Sequence, residues 1–332
     1  MKLLITGGTG FIGSRLALHA RTGGRAVVVA GQVNTDAERA RLKELNDAGV
    51  EVMQGPLQDA AYARQVSAGC DLVIHLAAAQ HEANVPDAYF EAVNVEGTRT
   101  LLEASLAAGV RRFVYGSTIG VYGEAADSVL TEDSPPRPVN IYGRTKLAAE
   151  GVVNSYASRL PTTIVRISET YGPGDFRLLK LFKAIDRGRF FMIGAGMNRR
   201  QVIHVSDLIA ILLRAGEHPA AIGQVFVAAG AEIMTTRDLV KGVAAALGRP
   251  APRLRAPLWP FLMLAVAMEV TLKPLGIQPP LHRRRLDFFR KSFVFDTSKV
   301  REVLGYTPAV AFGTGAAETA AWYRAMGYLP AR

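Results

Sequence analysis

Tyr142 and Lys146 stand four residues apart in "NIYGRTKLAAE" (140–150), and both carry groups that can hold or move a proton. On a helix, positions i and i+4 share a face, so the phenol and the ammonium can reach one cavity. A free tyrosine titrates near ~10, and a neighbouring ammonium favours the phenolate. Such a phenolate can take the proton of a substrate alcohol as hydride leaves its carbon. The same two residues also fit a packed ring beside a snorkelling lysine, so they need a cofactor site before they read as chemistry.

"TGGTGFIG" (6–13) offers that site, with Gly7, Gly10 and Gly13 around Phe11 and Ile12. The turn follows the apolar run "KLLIT" (2–6) and opens a helix. Gly7 permits a tight turn, Gly10 lets a pyrophosphate approach the backbone, and Gly13 lets the helix pack on the strand. The helix N-terminus then favours the negative charge. An acid at the end of the second strand usually accepts the adenosine ribose hydroxyls, but Ala30 and Gly31 stand there and the first acid is Asp36. No arginine waits there for a 2′-phosphate, so the segment leans to NAD and leaves NADP open.

These residues need elements to position them. Short apolar runs such as "RAVVVA" (25–30), "DLVIHLA" (71–77), "RRFVYGS" (111–117) and "TTIVRI" (162–167) alternate with helix-length stretches. That alternation implies an α/β fold, a Rossmann-type doubly wound parallel sheet covered on both faces. "DSPPRPVN" (133–140) reads as a loop leading to the Tyr142 helix. Past residue 170 the rhythm becomes irregular, which suggests a smaller C-terminal substrate domain. The expected division is residues 1–168 for NAD(P) and mainly 169–332 for substrate, with a return to the first domain around 200–229.

With 49% hydrophobic and 20% charged residues in 332, the chain can bury a large core. One cysteine, Cys70, excludes an internal disulfide, and no Cys/His cluster has the spacing of a metal site. The apolar run after Lys2 is too short for a secretory leader, so the expected location is the cytoplasm. The net charge of +10 points to anionic partners, but no nucleic-acid module is present. Much of the excess lies in "LHRRRLDFFRK" (281–291), just after the apolar "APLWPFLMLAVAMEVTLKPLGIQPP" (256–280). The segment 256–291 could therefore touch a membrane peripherally or cover an oily substrate; the alternative is a buried helix with a solvated basic flank.

"GGTGFIG", "DLVIHLAA", "VNVEGTRTLLEA", "RRFVYGSTIGVYGE", "YGRTK", "YGPGD" and "VIHVSDL" occur in the order seen in extended short-chain dehydrogenases/reductases. The chain resembles the NAD-dependent epimerase/dehydratase group of that superfamily through about residue 215, and again at "FDTSKVREVLGYTP" (295–308). The resemblance implies that Tyr142 is the catalytic acid/base and Lys146 its partner. It places a third hydroxyl four residues before the tyrosine of "VYG", at Thr118, with Ser117 as second choice. Leu76, Ala77 and Ala78 would line the cofactor, Asn94 would brace the active-site helix beside it, and Leu57 would cover the adenine. Pro56 stands where an acid normally meets the adenine, and Asp59 is a poor substitute. A homodimer is also implied.

Family dehydratases follow the threonine with Asp-Glu, whereas Ile119 and Gly120 follow Thr118 here, which argues against dehydration. Two activities remain. One is net oxidation or reduction of a secondary alcohol or ketone, resembling the 3β-hydroxysteroid dehydrogenase-like branch, and the apolar 256–280 stretch tips the balance towards it. The other is nucleotide-sugar epimerisation by transient oxidation. Arg200, four residues before His204, is placed to grip a sugar-nucleotide phosphate, while Glu169 stands where many sugar enzymes have asparagine. A non-catalytic dinucleotide sensor is the third possibility, and the intact Tyr142, Lys146 and Thr118 speak against it.

Overall fold

The computed structural model describes residues 1–80, 85–123, 129–272, 277 and 279–331. Seven parallel strands form the central sheet, in the spatial order Val225–Ala228, Thr162–Ile167, Arg112–Thr118, Leu72–His75, Lys2–Thr6, Ala26–Gly31, Glu51–Gln54. Their continuous apolar runs suit burial on both faces: Leu3, Leu4, Ile5, Val28, Val29, Leu72, Val73 and Ile74 are almost wholly inaccessible. The doubly wound α/β architecture expected from the sequence is the one observed.

Strand order reverses between Lys2–Thr6 and Leu72–His75, which pair in parallel, Thr6 opposite His75. The chain winds outward from the first to Ala26–Gly31 and from the second to Arg112–Thr118. Ligands of such sheets sit in the crevice beyond the carboxyl ends of strands at this reversal. Both the glycine turn and the "HLAA" segment begin there.

Helices cover both faces. On one side Leu16, Ala17 and Ala20 of helix Phe11–Thr22 pack with Leu208 and Leu212 of helix Val205–Glu217 and with Val300 and Leu304 of helix Ser298–Leu304. On the other, Tyr62, Val66, Leu101, Leu102, Ala149 and Val153 come from helices Ala60–Ser67, Gly97–Ala107 and Ile141–Ser155. A third core joins helices Leu179–Asp186, Thr236–Ala246 and Phe312–Ala325 around Phe182, Leu239, Val243 and Tyr323. The late part of the chain thus alternates between cores: strand Val225–Ala228 pairs with Thr162–Ile167, and helix Ser298–Leu304 returns to the sheet.

Helix Leu258–Leu272 begins beyond a short pairing of Arg255–Ala256 with Met192–Ile193. Only part of the apolar-basic segment 256–291 is open to description, because residues 273–276 and 278 lie outside the described residues. Among the described residues, no helix is long and apolar enough to cross a membrane.

Candidate active site

Gly7 has φ +66°, and a Cβ there would lie 2.7 Å from the Ala77 nitrogen, so the turn presses directly on the "HLAA" backbone. A Cβ on Gly13 would lie 2.3 Å from the Gly7 carbonyl oxygen. Its role is therefore to let the helix sit on the turn itself, a tighter seat than the strand contact expected of it. Gly10 is the N-cap of helix Phe11–Thr22 and contributes no side chain to it. The first N–H groups, including those of Phe11 and Ile12, thus open onto the crevice with the positive end of the helix dipole behind them. These residues suit the pyrophosphate of a dinucleotide.

A buried chain of hydrogen bonds fixes the facing wall. His75 Nδ1 lies 2.6 Å from Thr6 Oγ1 and Nε2 lies 2.9 Å from Thr98 Oγ1. Burial, with Lys146 nearby, pushes His75 down to about 3, so the ring is neutral and structural. Asn94, on the single π-helical turn Ala92–Glu96, exchanges two bonds with the backbone of Ala79. Its Nδ2 also donates to Thr145 Oγ1 at 2.9 Å. Asn94 thereby ties the wall of Leu76, Ala77 and Ala78, all half-buried, to the Tyr142 helix.

Helix Ile141–Ser155 is capped by Asn140, whose side chain accepts from the Gly143 N–H at 2.9 Å. A Cβ on Gly143 would fall 2.7 Å from the Gly120 oxygen, so only glycine lets the helix start dock on the turn after Thr118. That docking sets the start of the Tyr142 helix against the turn that follows Thr118. Thr118 is half-buried and accepts from the Gly120 N–H at 3.1 Å, a bond that leaves its own O–H available to donate.

Lys146 lies one turn on, 1% exposed, with Nζ 4.0 Å from the centre of the Tyr115 ring. Burial lowers it to about 7, against the pull of Glu150, which raises it. Ser117 goes elsewhere: its hydroxyl donates to Glu150 Oε1 at 2.5 Å within the core. Glu150 in turn is bound by Arg166 through Nε at 3.1 Å and Nη2 at 2.8 Å, and Arg166 reaches the Tyr122 hydroxyl at 2.9 Å. Ser117 thus belongs to a buried ion-pair network behind the site, not to its open face.

The adenine side is plainer. Leu57 is half-buried against the second core. Asp59 caps helix Ala60–Ser67, accepting from the Ala61 and Tyr62 N–H groups, so its carboxylate is committed to the fold.

Glu169 and Arg200 form one unit. Arg200, 5% exposed, donates to Glu169, to Thr236 Oγ1 at 3.1 Å and to the Phe288 carbonyl at 2.6 Å. Its guanidinium also lies 4.3 Å from the centre of the Phe288 ring. Burial opposes ionisation of Glu169, but Arg200 and Arg177 outweigh it and hold the carboxyl below its usual range. The arginine expected to meet a phosphate is held by a carboxylate of its own chain.

Sequence reasoning missed Glu150, Arg166, His75 and Asn140. Glu150 was the legible one, four residues after Lys146 and so on the same helix face. His75 and Arg166 face their partners only once the strands are aligned.

A family model described as "NAD dependent epimerase/dehydratase family" matches residues 3–229. The chain is 32% identical to a UDP-glucose 4-epimerase of Mycolicibacterium smegmatis, over 98% of this chain and 99% of that protein. It is 30% identical to a dTDP-glucose 4,6-dehydratase of Streptomyces antibioticus, over 98% and 92%. Among solved structures, MoeE5 in complex with UDP-glucose and NAD superposes with a TM-score of 0.77 at 26% identity, covering 98% of this chain and 99% of that one.

Proposed function

The chain belongs to the NAD dependent epimerase/dehydratase family, and on that premise we propose that it is an NAD-dependent enzyme that epimerises a nucleotide sugar by transient oxidation of a ring hydroxyl. The observation that carries the chemistry is Lys146, buried at 1% exposure on the face of the Tyr142 helix and lowered to about 7 by that burial. Perturbed lysines of this kind cluster at functional sites. In this assignment the turn Gly7–Gly13 and the Leu76–Ala78 wall hold NAD, with Leu57 over the adenine and Asn94 bracing the wall. Bound NAD would supply the hydride acceptor.

Tyr142 takes the proton of the substrate hydroxyl at its phenolic oxygen and returns it at the end of the cycle. Lys146 favours the ionised phenol. Thr118 donates to the same substrate oxygen and orients it. Ser117 keeps Glu150 and Arg166 in register behind them and takes no proton. The similarity to nucleotide-sugar enzymes supports this substrate class over a steroid-like alcohol. Ile119 and Gly120 provide no carboxylate beside Thr118, which favours epimerisation over dehydration. The third core, as the substrate domain, and a cytoplasmic homodimer complete the proposal.

A second activity, net dehydrogenation of an alcohol without a diphosphate, is favoured by one observation: Glu169 already engages Arg200. Incubation with NAD and UDP-glucose separates the two. A 4-epimer formed without net reduced cofactor supports epimerisation. Reduced cofactor accumulating on an apolar secondary alcohol, with UDP-hexoses untouched, would overturn it.

A further inference from the structure

We propose that helix Leu258–Leu272, with the arginines around it, docks this protein on an anionic lipid bilayer. The helix is inside out for a face turned to water. Leu258, Phe261, Leu262 and Ala265 pack inward on Ile193, Leu286 and Phe289. Its only charged residue, Glu269, is 9% exposed and lies on that same inner side. There the carboxylate accepts from the Arg283 backbone N–H at 2.7 Å and from its Nε at 3.0 Å.

Outward point Trp259, Met263, Val266 and Val270, at spacings i, i+4, i+7 and i+11, so they form one stripe. They are 65%, 65%, 43% and 67% exposed, and Leu254 just before the helix is 73% exposed. A surface helix normally turns its polar side to solvent, and a contiguous exposed apolar stripe marks an interaction surface.

Charge selects the occupant. Residues 251–291 contain eight Lys or Arg and two Asp or Glu, which accounts for six of the ten net positive charges of the chain. Exposed Arg253 and Arg255 flank Leu254. Arg255 also lines a cavity with Arg237 and Lys241, a cationic recess at the foot of the helix. A second copy of this chain would set the same positive charge against itself. An anionic bilayer offers acyl chains to the Trp259 stripe and phosphates to the arginines. The 15-residue helix is too short to span, so it lies along the interface.

Vesicle flotation of the whole protein tests this, with phosphatidylcholine alone and with equal parts of phosphatidylcholine and phosphatidylglycerol. The protein should float with the mixed vesicles, release with added salt, and stay behind with phosphatidylcholine. Trp259→Glu and Val270→Glu, both at exposed positions, should keep the wild-type circular dichroism and melting temperature but remain in solution. Arg253→Gln and Arg255→Gln should each weaken partitioning about fivefold, following ~1 kcal/mol per interfacial arginine. Wild-type protein that ignores both vesicles would overturn the proposal, as would flotation indifferent to Trp259→Glu and Val270→Glu. If sedimentation velocity instead shows a dimer that Trp259→Glu abolishes, with no flotation, the face belongs to a second copy.

Discussion

The two sides of the crevice are built on opposite terms. On the proton side, Tyr142, Lys146 and Thr118 sit on a helix and a strand end locked by glycine contacts, the Asn94 bridge and the Glu150–Arg166 pair. On the side proposed for substrate, Arg200 is tied to Glu169 by a contact that spans 31 residues of chain. One side holds the residues proposed for proton transfer on locked elements; the other pairs the Arg200 guanidinium with an internal counter-ion.

The largest test of the contrast is Tyr142→Phe. The ring still packs but has no proton to exchange, so kcat should fall by roughly 10²–10⁴-fold while the NAD dissociation constant, measured by titration calorimetry, stays within about twofold. Turnover near the wild-type rate would remove the proton side of the comparison altogether.

Next comes Glu150→Gln. Arg166 would keep its buried position without a carboxylate, at a cost of about 3–5 kcal/mol in urea unfolding. A loss below about 1 kcal/mol would show that the pair behind Ser117 does not rigidify the site.

Lys146→Met probes the same side through pH. In the folded chain Lys146 titrates at about 7, against 10.5 when unperturbed. Below 7 both states hold the proton and the burial penalty is complete; between 7 and 10.5 the unfolded chain binds more protons, so wild-type stability rises with pH. The cofactor-free Met variant should therefore melt several degrees above wild type at about pH 6, with the difference closing towards 10.5. A gap independent of pH, followed by calorimetry, would mean that Lys146 is not titrating in that window.

Glu169→Asn is the smallest change and bears on the substrate side alone. With its counter-ion gone, Arg200 can offer charged donors to a phosphate, and UDP should bind about tenfold tighter by calorimetry with NAD present. Unchanged or weaker UDP binding would show that the Glu169–Arg200 pair does not restrict the diphosphate.

The elements that carry the residues proposed for proton transfer were legible in the sequence because their parts are local. Strand, glycine turn and helix follow one another in residues 2–13, and Tyr142 to Lys146 is one helical turn. Periodicity sets Ser117 and Thr118 on opposite faces of their strand without saying which one meets the cofactor; only the fold shows Ser117 engaged with Glu150 in the core. Arg200 was different. Its spacing to His204 gave its place on the chain, but the three partners that occupy it come from positions 169, 236 and 288. Helix Leu258–Leu272 was similarly opaque: apolar on nearly every side, it gives no period that says which face turns inward, and the buried Glu269 reverses the usual rule.

Strand Val225–Ala228 closes the sheet beside Thr162–Ile167, yet it leaves the ribosome some sixty residues later. Until it emerges, a nascent chain holding the whole proton site presents an open strand edge, and the covering side chains of Leu208, Leu212 and Phe226 are still missing. Such an edge templates pairing with any other extended chain. Synthesis of this protein therefore passes through a window in which the residues proposed for proton transfer are already made but the sheet is unsealed, and a fragment ended at residue 168 would stay in that sticky state for good.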